Sequence, residues 1–158
     1  EPFAIHGDAR LAAAWQGGEV YGDDYARALT GARIGLGFLR KVCPDQHTTR
    51  TFEIPACGGM LLADRTDEHR AFFEEGREAE FFGSAAELVD KARFYAANEA
   101  ARAKIAAAGR ARCKSGGYAY IERLRPVIAA IERMDRVSPS TRGARDGDAA
   151  SSRLTSVS

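Results

Sequence analysis

The sequence predicts an α/β protein, a parallel Rossmann-like sheet flanked by helices. Short apolar runs at residues 3–6, 33–39, 60–63 and 80–82 have the character of strands. Each leads into a polar or helix-like segment instead of a two-residue hairpin, so the chain must cross over between strands, as a parallel sheet requires. The runs are also close to continuously apolar, which suits strands covered on both faces.

Between these runs, residues 23–31 read as a helix, with Tyr25, Ala28 and Leu29 at helical spacing. Residues 67–75 form a second, opened by Thr66 or Asp67. A third begins at Ser84, where Ser84-Ala-Ala-Glu87 fits a reciprocal cap in which hydroxyl and carboxylate satisfy backbone amides. Its inner face is Leu88, Ala92 and Tyr95. Asn98 is placed to cap the next helix, which meets the core through Ile105 and weakens at Gly109. The last helix covers residues 118–134, with Ile121, Leu124, Ile128 and Ile131 on one stripe.

Beyond Arg136 the composition changes. Residues 137–158 are rich in Ser, Thr, Gly, Arg and Asp and lack apolar periodicity, the signature of a disordered tail after an ordered domain of residues 1–136. Four strands make a thin sheet, since doubly wound domains usually have about five or six. The first residue is not Met. The chain therefore reads as a piece of a longer protein, or a processed one, with the remaining strands expected upstream of Glu1.

With 158 residues, 45% of them apolar and 28% charged, the chain can bury one core of ordinary size. Its 23 basic and 22 acidic residues leave a net charge of +1, which offers no electrostatic basis for a nucleic-acid or membrane partner. No apolar run approaches the roughly 20 residues of a membrane span, and Glu1-Pro2-Phe3 does not begin a signal peptide. Cys43, Cys57 and Cys113 are odd in number and widely spaced, forming neither a CxxC pair nor a disulfide framework. A reducing cytoplasm is the expected setting.

The segment from Asp45 to Gly59 carries the most chemistry. Glu53 lies between a polar loop and a strand, where a carboxylate can accept hydrogen bonds from ribose hydroxyls. It equally fits a first-turn carboxylate facing the helix dipole. Thr48, Thr49 and Arg50 form a hydroxyl-hydroxyl-guanidinium cluster that, with backbone amides, suits a diphosphate. Caps and a surface ion pair are the alternative. Gly58-Gly59 allows positive φ and close approach of a ligand, or a plain helix end. His47, two residues past Asp45, is within reach of acid–base work or is a solvated loop residue.

Other patterns are weaker. Gly35 and Gly37 resemble part of a dinucleotide fingerprint but sit inside a strand, with Arg40 at the sixth position, so the fingerprint is absent. Asp64, Asp67 and His69 lack a recognised metal-ligand spacing and read better as a cap with surface charge. Asp146-Gly-Asp148 lies in the tail. No Ser-His-Asp or Cys-His signature emerges, and the cysteines lack an activating partner.

From about Gly22 to Tyr120 the order of segments resembles the CgeB-like glycosyltransferases, a branch of the group 1 type with the GT-B architecture. The collinear pieces are Tyr25-Ala26, residues 32–36, residues 45–59, residues 62–69, Phe73-Glu-Glu-Gly76, Glu80-Phe-Phe82, Glu87-Leu88, and Arg102 through Ile105 to Gly109. The resemblance implies the C-terminal, donor-binding half of such an enzyme. It implies that a nucleotide-diphosphate sugar binds here, that no metal or other cofactor is needed, and that a separate N-terminal domain binds an acceptor. Related retaining enzymes carry two acids separated by seven residues, which fall here on Asp45, near the donor sugar, and Glu53, on ribose. Asp45 stands where Glu is usual, which shortens its reach. By the same resemblance Thr48, Thr49 and Arg50 lie near the diphosphate, Gly58 and Gly59 belong to the donor site, and His6 and Gly7 fall near the base. Charge on the departing diphosphate is met by amides and basic side chains. The last helix packs toward the absent domain.

A non-catalytic module that keeps this half-fold and binds a nucleotide or a protein is the rival reading. A response-regulator-like domain ranks below both, because it would need an acidic pair at a strand end with a downstream Lys.

Overall fold

The computed structural model describes residues 9–14 and 17–137. The strand expected at residues 3–6, with His6 and Gly7, lies outside these, as do residues 138–158 of the expected tail. Two compact units divide after Gly116.

The first unit holds α1 (Ala9–Ala14), α2 (Gly22–Gly31), β1 (Gly35–Gly37), α3 (Arg50–Ala56), β2 (Leu61–Asp64), α4 (Asp67–Phe72), β3 (Glu80–Phe82), α5 (Ala85–Ala97) and α6 (Glu99–Ser115). The strands form a parallel sheet in the order β1-β2-β3, with Leu36 opposite Leu62 and Ala63 opposite Phe81. The α/β architecture read from the apolar runs is therefore present. Leu61, Leu62 and Ala63 are fully buried, as strands covered on both faces must be.

Alternation along the strands divides the core. Leu61, Ala63 and Phe81 pack with Ile54 of α3 and Phe73. Met60 packs instead with Tyr95 of α5 and Ile105 of α6. Each of these large side chains contributes about 1.5–3 kcal/mol by leaving water.

Several elements differ from the sequence expectation for steric reasons. The run at residues 33–39 yields only a three-residue β1, because the Leu39 amide leaves the ladder and donates to the Asp64 carboxylate at 2.7 Å. Gly35 is there for packing: a Cβ would lie 2.5 Å from Ile54 Cγ2, so only glycine lets α3 sit this close to the sheet. α4 stops at Phe72 because Phe73 turns extended and inserts into the core, 1% exposed. α6 does not weaken at Gly109 but runs through it. A Cβ at that position would meet the Glu78 carbonyl at 2.4 Å and Pro55 at 3.3 Å, so the residue costs helix propensity and permits close contact.

The caps read at Thr66 and Ser84 are in place, whereas Asn98 stands at the N-cap of α6 without a side-chain cap bond, its side-chain amide nitrogen donating back to the Phe94 carbonyl at 2.8 Å. Thr66 Oγ1 accepts from the His69 amide at 3.0 Å and Ser84 Oγ from the Glu87 amide at 3.2 Å. The Glu87 carboxylate reaches back to the Gly83 amide at 2.9 Å, one residue before the reciprocal position.

Behind β3 lies a network of charges. Lys91 of α5 donates to Glu80 at 2.6 Å, Glu75 at 3.0 Å and the Phe81 carbonyl at 2.7 Å. Arg65, just after β2, grips Glu75 with two nitrogens at 2.6 and 3.1 Å, and also binds Glu87 and the Phe81 carbonyl. Glu80 is buried and accepts from Tyr95 Oη at 2.6 Å. Hydrogen bonds from Arg65 hold the Glu75 and Glu87 carboxyls below the usual carboxylate range. Burial opposes the charge on Lys91, but its bonds to Glu80, Glu75 and Glu87 outweigh it and raise its pKa.

The second unit contains α7 (Tyr120–Val137). Ile121, Leu124, Ile128 and Ile131 recur along it as expected, and their exposures of 58%, 50%, 48% and 54% leave a continuous apolar stripe open. No helix among the described residues is long and apolar enough to cross a membrane.

Candidate functional site

Topology places the chemistry-bearing segment. α3 connects the end of β1 to the start of β2, and both strands run the same way. The helix must therefore start at the carboxyl edge of the sheet and finish at the amino edge. Asp45, His47, Thr48, Thr49 and Arg50 all come to the carboxyl edge, where open α/β sheets bind ligands.

Arg50 and Glu53 are three residues apart on α3 and so share a face. Glu53 is half-buried and accepts a hydrogen bond from Tyr25 Oη of α2 at 2.7 Å. Burial and then the Glu53 carboxylate push the Tyr25 phenol up, with Arg50 acting the other way. Tyr25, Arg50 and Glu53 thus form one cluster. Sequence reasoning placed Tyr25 only on a helix face, and its partner lies 28 residues away.

The threonines do not cap α3. Thr49 occupies the N-cap position without a side-chain cap bond, while Thr51 accepts from the Thr48 amide at 3.2 Å. The amides of Thr51, Phe52 and Glu53 are already bonded to the Thr48 and Thr49 carbonyls. Those three amides are thus engaged within the helix start, and the exposed Arg50 side chain is the cation of this turn. Arg40 and Lys41 in the same loop are exposed and form no ion pair among the described residues.

The loop of residues 38–49 is held by one short segment, Asp64 to His69. The Asp64 carboxylate takes the Leu39 amide, Thr66 Oγ1 donates to the Gln46 carbonyl at 2.7 Å, and Glu68 pairs with His47. His47 also lies edge-on to Phe52 and Phe72, with centroids at 5.8 and 5.1 Å. His69 is buried, its Nδ1 2.6 Å from the Asp64 carbonyl and its Nε2 2.9 Å from Thr51 Oγ1. Asp67 pairs with Arg70 at 2.7 Å. Asp64, Asp67 and His69 are thus each engaged within the protein, and no group of three or more His, Cys, Asp or Glu among the described residues is arranged around a metal position.

Asp45 is exposed in the loop. Gly58 and Gly59 lie at the far end of α3. Gly58 has φ +87°, and the Gly58 and Gly59 amides bond the Pro55 and Ile54 carbonyls, which closes the helix with a left-handed cap. A Cβ on Gly59 would lie 2.9 Å from the Leu29 carbonyl. A shallow depression of about 450 Å³ beside Gly58, lined by Ala103, Ala107, Arg110 and Lys114 of α6, includes no residue of the 45–53 segment. Burial pushes the Cys113 thiol up to about 11, which makes it a poor nucleophile at neutral pH.

A parallel sheet with a cation-bearing polar loop at its carboxyl edge defines a class of α/β proteins that take ligands in that crevice. The chain belongs to the Glycosyl transferase-like family, whose model matches residues 1–129. Membership supports glycosyl transfer, in general terms, as its class of activity. Searches of curated proteins and of solved structures returned no match.

Proposed function

We propose that this chain is the donor-binding part of a CgeB-like, GT-B glycosyltransferase that moves a sugar from a nucleotide diphosphate to an acceptor. The observation that carries the reading is the cluster of Tyr25, Arg50 and Glu53 at the carboxyl edge of the sheet, in a chain of a glycosyltransferase family.

In this reading the second carboxylate oxygen of Glu53 accepts from a ribose hydroxyl while Tyr25 occupies the first. When the bond between the sugar's anomeric carbon and the diphosphate oxygen breaks, negative charge gathers on the leaving group. Arg50 meets that charge, aided by the Thr48 and Thr49 hydroxyls, without need of a metal. Asp45 faces the donor sugar, and His6-Gly7 the base. Gly58-Gly59 serves the donor site from a distance, by closing α3 and fixing where its first turn sits. The acceptor domain lies elsewhere in the whole protein, and the apolar stripe of α7 is the surface offered to it. The setting is cytoplasmic.

A thermal-shift screen of the full chain against nucleoside diphosphates and their sugar conjugates tests this, with Glu53→Ala alongside. A selective rise in Tm that the variant loses supports a donor site and names the base. A cooperative melt indifferent to every nucleotide contradicts it. The Asp at position 45 favours a second reading, a module that binds the nucleotide without transfer. Nucleotide binding with no sugar release from any conjugate, in the presence of the acceptor domain, would select that one.

A further inference from the structure

A chain of hydrogen bonds ties His69 to the donor loop. The Asp64 carbonyl can only accept, so Nδ1 of His69 carries the proton and donates at 2.6 Å. In the neutral ring Nε2 is then an acceptor, and the Thr51 hydroxyl donates to it at 2.9 Å. The same hydroxyl oxygen accepts from the Thr48 amide at 3.2 Å. Thr51 is 2% exposed and His69 is 1% exposed, so no solvent substitutes for a missing partner. The ring is further fixed by stacking on Phe81, 5.4 Å between centroids and 8° from parallel.

We propose that His69, as a neutral imidazole protonated on Nδ1, is a positioning residue that acts through Thr51 to hold Thr48, and with it Thr49 and Arg50, in the geometry that binds a nucleoside diphosphate. The inference rests on the donor-site reading above. Protonation of His69 turns Nε2 into a donor and strands the Thr51 hydroxyl proton. The groups facing the ring are Asp64 from β2, Glu68 from α4 and His47 from the loop, with Thr51 from α3. Burial opposes the imidazolium, the Asp64 carbonyl favours it, and a charged His47 opposes it; burial prevails and the pKa falls below 6.5. Loop geometry, and with it diphosphate affinity, therefore declines on acidification below neutrality.

The test uses the full chain, with Thr51→Val to remove the hydroxyl and Thr51→Ser to keep it. UDP, GDP and ADP are titrated between pH 5 and 8 (on the order of neutrality and below), and amide exchange is followed at Thr48. The expected result is a loss of about tenfold in affinity for Thr51→Val, the weight of one buried hydrogen bond. Its pH dependence should flatten and the Thr48 amide exchange faster, while Thr51→Ser matches wild type. Unchanged affinity and exchange in Thr51→Val overturn the proposal, and so does an equal loss in Thr51→Ser, which would assign the effect to packing. If wild type binds none of the three nucleotides, the donor reading fails and the role in binding falls with it, while the Thr48 amide still reports whether His69 positions the loop. ¹⁵N NMR of wild-type His69 needs no variant that folds: a neutral ring protonated on Nε2 contradicts the proposal outright.

Discussion

Two regions beside the sheet use charge in opposite ways. Around β3 and α5, Arg65 and Lys91 are surrounded by Glu75, Glu80 and Glu87, and the cations are consumed inside the protein. Around the start of α3, Arg40, Lys41 and Arg50 stay exposed, and the loop beside them is held by neutral bonds, the Asp64 and Glu68 carboxylates and a buried imidazole. The first region spends its charge on holding β3 against α5. The second keeps its cations at the surface, where an anionic ligand can meet them, and assigns the structural work to the segment from Asp64 to His69.

The largest expected effect would break the first region alone. Lys91→Met leaves the buried Glu80 without its cation, and should lower unfolding stability in urea by about 2–4 kcal/mol while leaving nucleotide affinity intact in the folded fraction. Glu53→Gln should do the reverse: a loss of roughly 10- to 100-fold in nucleoside diphosphate affinity, read by calorimetry, with stability changed by less than about 1 kcal/mol. If both variants moved both quantities together, the division between the regions would collapse.

Acid should separate the regions in order. His69 has a folded pKa below 6.5, so the unfolded chain takes up its proton first and this contribution, complete above about 6.5, is lost as pH falls toward the folded value. Glu75 and Glu87 are depressed below 4.5, so their contribution is complete above that value and disappears at lower pH. A Tm profile should therefore show an early decline, absent in His69→Gln, and a later one reduced in Glu87→Gln. The smallest effect expected is that of Tyr25→Phe, which removes one bond to Glu53 and should weaken nucleotide binding by about two- to tenfold.

The parallel sheet was legible in sequence because apolar runs and the lack of hairpin turns are local signals. The caps at Thr66 and Ser84 and the apolar stripe of α7 were legible for the same reason. Glu53 and Arg50 stood out as types suited to nucleotide chemistry, and the fold brings them to the carboxyl edge of the sheet. What escaped the sequence depends on long-range contact. Asp64 to His69 looked like a cap with surface charge, whereas its partners Leu39, Gln46, His47 and Thr51 lie 18 to 25 residues away. Gly35 and Gly109 resembled a fingerprint remnant and a helix weakness until the packing of Ile54 and Glu78 explained them. Tyr25 fell to the same limit, since helical spacing shows that a residue faces inward but not whom it meets.

The central claim is that ligand binds at the start of α3 and nowhere near the β3–α5 network or the α6 depression. Backbone and methyl NMR shifts of the full chain, titrated with the diphosphate selected in the thermal screen, test it directly. The account predicts shifts at His6-Gly7, Tyr25 and the 45–53 segment, with Glu80, Lys91 and Ala107 silent. Shifts centred on Ala103, Ala107 and Lys114, with the 45–53 segment unmoved, would contradict it.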